Sequence, residues 1–179
     1  GTWTKGAMDR TQAYIQQTWA DHPNDKQQRK AAIVLMTDGQ WTDPSGTMPG
    51  QPANQNPSIT AGTLFNNLGV PTYVVAIGDM LGEMFADEIA AAGGTGQAFE
   101  AANPQALIDA LKMVVQDLIN DVIQPVCAPG LPRIMVLLDA SSSMLNINNG
   151  TQAGPMGLTG WDQARDALTG PNSLFDQFF

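Results

Sequence analysis

The sequence predicts an α/β fold, a mostly parallel central sheet between two layers of helices, and three observations predict it. Short apolar runs alternate with stretches whose apolar residues recur at helical spacing. Two of the runs, Ala32–Met36 and Arg133–Leu138, are continuously apolar, apart from the opening Arg133, instead of alternating. That suits strands buried on both faces of a parallel sheet, and Arg133–Leu138 is expected as a central one. Gly-, Pro- and Asn-rich stretches separate the elements, as loops between layers require.

Taken in order, Met8, Tyr14, Ile15 and Trp19 place an amphipathic helix from about Lys5 to Asp21. A polar stretch from Asp21 to Arg29 leads into the strand Ala32–Met36. The segment Gln40–Ile59 reads as a long surface loop. Leu64 and Leu68 mark a helix, Thr72–Ile77 a strand, and Leu81–Ala92 a helix stopped by Gly93-Gly94. Gln97–Glu100 is expected as an edge strand. Asn103-Pro104 supplies a cap followed by a residue whose missing N–H costs nothing, so a helix is expected over Gln105–Asp121. Gln124–Pro132 holds three prolines and reads as a linker before the strand Arg133–Leu138. Asn146–Leu158 is a second irregular loop, and Thr159 with Asp162 resembles a capping box opening a helix through Leu168.

With 179 residues the chain can bury one real core. Eight Lys+Arg against seventeen Asp+Glu give a net charge of −9, which argues against nucleic acid as a partner. No apolar run has the length of a membrane span, and Gly1 opens in polar sequence rather than in a secretory leader. Cys127 stands alone and cannot close an internal disulfide. Sparse Lys with abundant Asn, Gln, Thr and Gly suggests an extracellular, bacterial-surface setting.

Ligands of such sheets sit beyond the carboxyl ends of the strands, and three segments there carry oxygen donors. Asp139-Ala-Ser141-Ser-Ser143 follows one strand and can turn a carboxylate and two hydroxyls toward one point; these hard donors suit Mg²⁺ or Mn²⁺. The same residues also suit a polar turn capping a helix. Thr37-Asp38-Gly39 follows another strand, where a plain β-turn is the competing reading. Gly1-Thr2-Trp3-Thr4 heads a helix, where a Thr hydroxyl commonly serves only as a cap.

RIMVLLDASSSM (Arg133–Met144) resembles the first strand and Asp-x-Ser-x-Ser signature of von Willebrand factor A domains. AIVLMTDG (Ala32–Gly39) is similar to their fourth strand with its aspartate, and GTWTKGAM (Gly1–Met8) to their threonine loop. PTYVVAIGD (Pro71–Asp79), the stretch Ala90–Ala101 and the helix Pro104–Val122 resemble the fifth strand, sixth strand and last helix. The resemblance implies a Rossmann-like three-layer sandwich and a metal-ion-dependent adhesion site. Ser141, Ser143 and Thr2 would coordinate Mg²⁺ (or Mn²⁺ or Ca²⁺), and Asp139 and Asp38 would hold it, partly through water. An Asp or Glu carboxylate of a protein ligand would take the open position. It implies adhesion or ligand binding and no enzymatic activity.

The order departs from that family. Residues 1–123 resemble the back half of such a domain and 133–179 the front half, joined by the linker 124–132. The family's second and third strands have no counterpart. A circular permutant, a tandem junction and a partial chain all give this order, and each leaves the Arg133–Leu138 strand with an edge to be covered. Self-association by strand exchange, giving a filament subunit in which the metal steadies the fold, is the alternative function. An intracellular partner of an ATPase assembly is a third. His22, the single histidine, lies in a polar stretch, and without a nucleophile elbow Ser-His-Asp hydrolysis is not expected. Trp3 and Trp41 flank the metal loops, as pocket rim or as packing, whereas Trp19 and Trp161 are expected in the core. Asp79 is assigned no ligand.

Overall fold

The computed structural model describes residues 3–38, 40–45, 53–78, 83–122, 133–138, 144, 159–171 and 173. Over these the chain forms α1 (Thr4–Asp21), α2 (Pro23–Gln28), β1 (Ala31–Thr37), α3 (Pro57–Leu68), β2 (Thr72–Ile77), α4 (Glu83–Ala92), β3 (Phe99–Ala101), α5 (Pro104–Val122), β4 (Arg133–Leu138) and α6 (Gly160–Thr169). A short 3-10 turn, Ala53–Gln55, precedes α3.

The four strands pair in the order β3-β2-β1-β4, every pair parallel. β1 is central: Met36 sits opposite Leu138 on one side and Val75 on the other. Its residues alternate between two cores. Ala32, Val34 and Met36 face Leu107, Leu111, Val114 and Leu168 on α5 and α6. Ile33 and Leu35 face Met8 and Ile15 of α1, Leu64 of α3 and Ile89 of α4. Helices therefore cover both faces of the sheet, the arrangement that explains strands without a polar face.

Local chemistry sets the helix boundaries. Asn103 accepts from the Ala106 N–H at 2.9 Å, so Pro104 falls in the first turn of α5. Asn56-Pro57 repeats this: Asn56 accepts from the Ser58 N–H at 2.9 Å, and α3 starts at Pro57. The loop expected over Gln40–Ile59 is thus too long by about a turn, because the cap-and-proline signature inside it overrides the polar composition around it. Gly69 closes α3 with φ 68°, a left-handed conformation that glycine adopts without penalty. The capping box of α6 forms as expected, with Thr159 and Asp162 exchanging bonds.

Other differences are small. The polar stretch before β1 contains the short helix α2, and the edge strand is Phe99–Ala101 rather than Gln97–Glu100. Trp161 packs half-buried against the α5–α6 core; Trp19 is half-buried as well, with Lys26 5.3 Å above its ring. The Tyr73 hydroxyl donates to Asp117 at 2.7 Å and ties β2 to α5. The linker 124–132, with Cys127, and the loop 146–158 lie outside the described residues.

Candidate functional site

The register of β1 and β4 decides what can meet at the carboxyl end of the sheet. Met36 and Leu138 are paired neighbours on parallel strands. The chain continues from Met36 into Thr37 and Asp38, and from Leu138 into the Asp-x-Ser-x-Ser sequence. Parallel strands in register deliver the segments that follow them to the same edge. Of the five expected metal ligands, Asp38 is described: it is half-buried, immediately beyond the last residue of β1. Asp139, Ser141, Ser143 and Thr2 lie outside the described residues, as does Asp79.

The head of α1 comes to the same edge. The Trp3 indole N–H donates to Gln55 Oε1 at 3.0 Å, and Gln55 closes the turn that leads into α3. The Trp3 ring lies so close over Gly6 that a Cβ there would stand 2.5 Å from it, so glycine is what allows this rotamer. Thr4 is buried in the first turn of α1. Met8, one turn further on, shares a core with Trp41, which lies three residues beyond Asp38. Met144, six residues after Leu138 in the sequence, is fully buried against the α5–α6 core.

Below the α1 head, Asp9 receives the Lys5 ammonium at 2.7 Å and the Thr60 hydroxyl, joining α1 to α3. Asn56 and Ser58 both donate to Glu88, joining α3 to α4. The three helices are thus cross-linked by polar side-chain contacts. Asp43 accepts from the Ser45 N–H and hydroxyl and shapes the loop after Trp41.

Trp41 is 3% exposed, which decides between its two readings: it packs under the loops rather than rimming a pocket, whereas Trp3 at 42% remains at the surface. Among the described residues the Trp41 Nε1 and the Thr42 hydroxyl are buried without a hydrogen-bond partner. No motif in the sequence marks this pair; the signal would have been a Trp-Thr dipeptide forced inward at a strand exit, which composition does not reveal.

As a donor set, two carboxylates with three hydroxyls match a hard cation that keeps part of its water shell. Among the described residues no group of three or more His, Cys, Asp and Glu side chains gathers, and no helix is long and apolar enough to cross a membrane. Comparison with protein-family models, with curated proteins and with solved structures finds no match in any of the three. The class established by the coordinates is a parallel α/β sandwich with helices on both faces of a four-stranded sheet.

Proposed function

We propose that this chain is a von Willebrand factor A-like module that binds a divalent cation, Mg²⁺ foremost, and through it an acidic side chain of a protein ligand. Asp139, Ser141, Ser143, Thr2 and Asp38 are the residues assigned to the ion. The observation that carries the reading is the β1–β4 register. It sends the segments after Met36 and Leu138 out of the same sheet edge, with the head of α1 beside them. A cation held by few protein carboxylates retains positive charge and an exchangeable water, which a partner's Asp or Glu can replace. An extracellular adhesion role, and the absence of catalysis, belong to this proposal.

The test is titration of the metal-free protein with Mg²⁺ and Mn²⁺ by calorimetry, alongside circular dichroism. Saturable binding that disappears in Asp139→Ala, with unchanged dichroism, is the expected result. Failure of the unaltered protein to bind either ion would sink the proposal. Dichroism that collapses on adding EDTA would instead favour a subunit in which the metal steadies the fold.

A further inference from the structure

Three exposed large apolar side chains stand at the heads of helices that pack side by side: Trp3 at α1, Ile59 in α3 and Met84 in α4. The tails of α3 and α4 both end at the entry of β2. There the Val70 N–H bonds back to Leu64 and the Thr72 N–H donates to the Gly93 carbonyl at 3.0 Å. Each helix therefore runs back along the sheet from a head at the carboxyl edge. Trp3 joins these heads through its 3.0 Å bond to Gln55, the residue before the α3 cap. Ile59 is 50% exposed and Met84 75%. Single apolar side chains at a surface are ordinary, but a set gathered on adjoining helix heads marks a place where another molecule sits.

A carboxylate stands among them. Glu88 lies one turn after Met84 on the same side of α4 and is exposed. Its Oε1 accepts from the Asn56 amide at 2.7 Å, and the Ser58 hydroxyl is 3.2 Å from the same oxygen. The amide is itself oriented, because Asn56 Oδ1 accepts from the Ser58 N–H in capping α3. The cap thus fixes the Glu88 carboxylate, and both its donors are neutral, so its charge is not cancelled. Asp87 beside it accepts from the Ala98 N–H, again a neutral donor. From Ala31 to Leu111 the sequence has eight Asp+Glu and no Lys, Arg or His. These elements supply no cation of their own, and Lys5, on the neighbouring α1, is held by Asp9. A partner's cation would meet a carboxylate already held in place, so little side-chain freedom is lost on this side.

We propose that the heads of α1, α3 and α4 form a docking surface for a partner segment in which a basic side chain, arginine foremost, is flanked by large apolar residues. The cation meets Glu88, and the apolar side chains cover Ile59 and Met84, with Trp3 at the margin. Arginine suits the place because its guanidinium is weakly hydrated and its stem packs on apolar surface. The surface does not rest on the metal reading: none of its residues is assigned to the ion, and it selects a charge opposite to the one the ion would attract.

The probe is the end-capped peptide Ser-Leu-Arg-Leu-Ser carrying a fluorophore, read by anisotropy against the full chain in EDTA. Two control peptides accompany it: one with glutamate in place of arginine, and one with serine in place of both leucines. The expected result is saturable binding of the arginine peptide at least about fivefold tighter than either control. Glu88→Gln should weaken it about tenfold, while the new side chain can still accept the Asn56 bond. Met84→Ser should weaken it about threefold. Met84 is so exposed that its replacement tests the surface even if Glu88→Gln disturbs the α3 cap. Absence of saturable binding overturns the proposal, and so does equal binding of either control or binding that both variants leave unchanged. A concentration-dependent dimer that excludes the arginine peptide would assign the surface to a second copy of the chain and likewise overturn it.

Discussion

The two ends of the β1–β4 pair differ in chemistry on the same backbone. At the carboxyl end the strands run out into Asp38 and the Asp-x-Ser-x-Ser segment, rich in hard oxygen donors. At the amino end an aromatic and apolar groove, lined by Tyr14, Trp19, Ala31 and Met135, opens between α1 and the sheet. Parallel pairing makes this possible: it gathers all strand exits at one edge and all strand entries at the other, so each edge can be specialised without disturbing the other. The middle of the strands serves neither end. Ile33, Val34 and Met36 are at most 1% exposed and only pack.

The largest expected effect is a separation of the two ends by mutation. Asp38→Ala should lower Mg²⁺ affinity by at least about tenfold, by analogy with the loss seen when even supporting groups of a metal site are removed. Tyr14→Ala, at the amino end and exposed, should leave Mg²⁺ affinity unchanged. Parallel calorimetry on both variants would break the comparison if the amino-end substitution moved the affinity as far as Asp38→Ala does.

How much of this was legible in the sequence follows from where the physics is local. The continuous apolar runs read as strands buried on both faces, and β1 is one. β4 forms a strand too, but it is outermost in the described sheet and Met135–Leu138 are half-buried, because which strand lies inside depends on tertiary pairing that the run itself does not encode. Asn103-Pro104 and the Thr159–Asp162 box announced their helices because capping is settled within four residues. Asn56-Pro57 carries the same signal, but the surrounding Pro, Gly and Gln favour a loop and mask it. The groove was not legible at all. It depends on the distance at which α1 sits from the sheet, which is set by α1's packing on α3 and by the Asp9–Thr60 contact, not by any pattern within α1. Burial of Trp41 was equally hidden, since an aromatic beside a loop packs inward or outward according to tertiary space. For the proposed metal site the sequence offers only residue types; the β1–β4 register adds that Met36 and Leu138, the residues before two of the segments, are paired neighbours.

A second prediction concerns the entry to β2, near the amino end. A Cβ at Gly93 would stand 2.6 Å from the Thr72 Cβ and 3.0 Å from its carbonyl oxygen, both on a buried strand. Gly93→Ala must therefore push α4 away from β2, at a cost of about 1–3 kcal/mol. Urea denaturation should show this as a lower midpoint with an unchanged slope. If α4 and β2 yield without loss, the amino end is more plastic than its packing indicates, and the contrast with the loops at the other end weakens.

Smaller still is the effect of the α6 capping box. Hydrogen bonds from the Thr159 backbone and side chain, with Arg165 nearby, hold the Asp162 carboxyl below its ordinary value. A carboxylate depressed on folding adds stability that is present above its unfolded value and is lost as pH falls through the folded one. Thr159→Ala should cost about 1 kcal/mol at neutral pH. It should also make the acid limb of stability against pH somewhat shallower, because the substitution removes the hydroxyl donor while the Thr159 backbone N–H, the larger contributor, stays. Denaturation midpoints measured from neutrality down into the carboxylate range would reveal both, and parallel acid limbs in the two proteins would show that the box does not act through Asp162.

The finest test compares two hydroxyls. Thr42 lies beyond β1 at the carboxyl end and Thr72 opens β2 at the amino end; both are buried, and neither hydroxyl has a hydrogen-bond partner among the described residues. An unpaired buried hydroxyl is destabilising, and replacing it by a methyl of similar shape relieves the desolvation cost. Thr72→Val should therefore raise stability by up to about 1 kcal/mol, a gain comparable with one net hydrogen bond. Thr42 differs because it sits four residues from Asp38, on the loop that would border a hydrated cation. If its hydroxyl meets water of the ion's shell, Thr42→Val should bring no gain in the Mg²⁺-loaded protein while stabilising the metal-free one. Thermal unfolding of both variants with Mg²⁺ and with EDTA makes the distinction. A Thr42→Val gain that is the same in both conditions would place the hydroxyl outside the ion's reach and confine the metal site to the five assigned ligands.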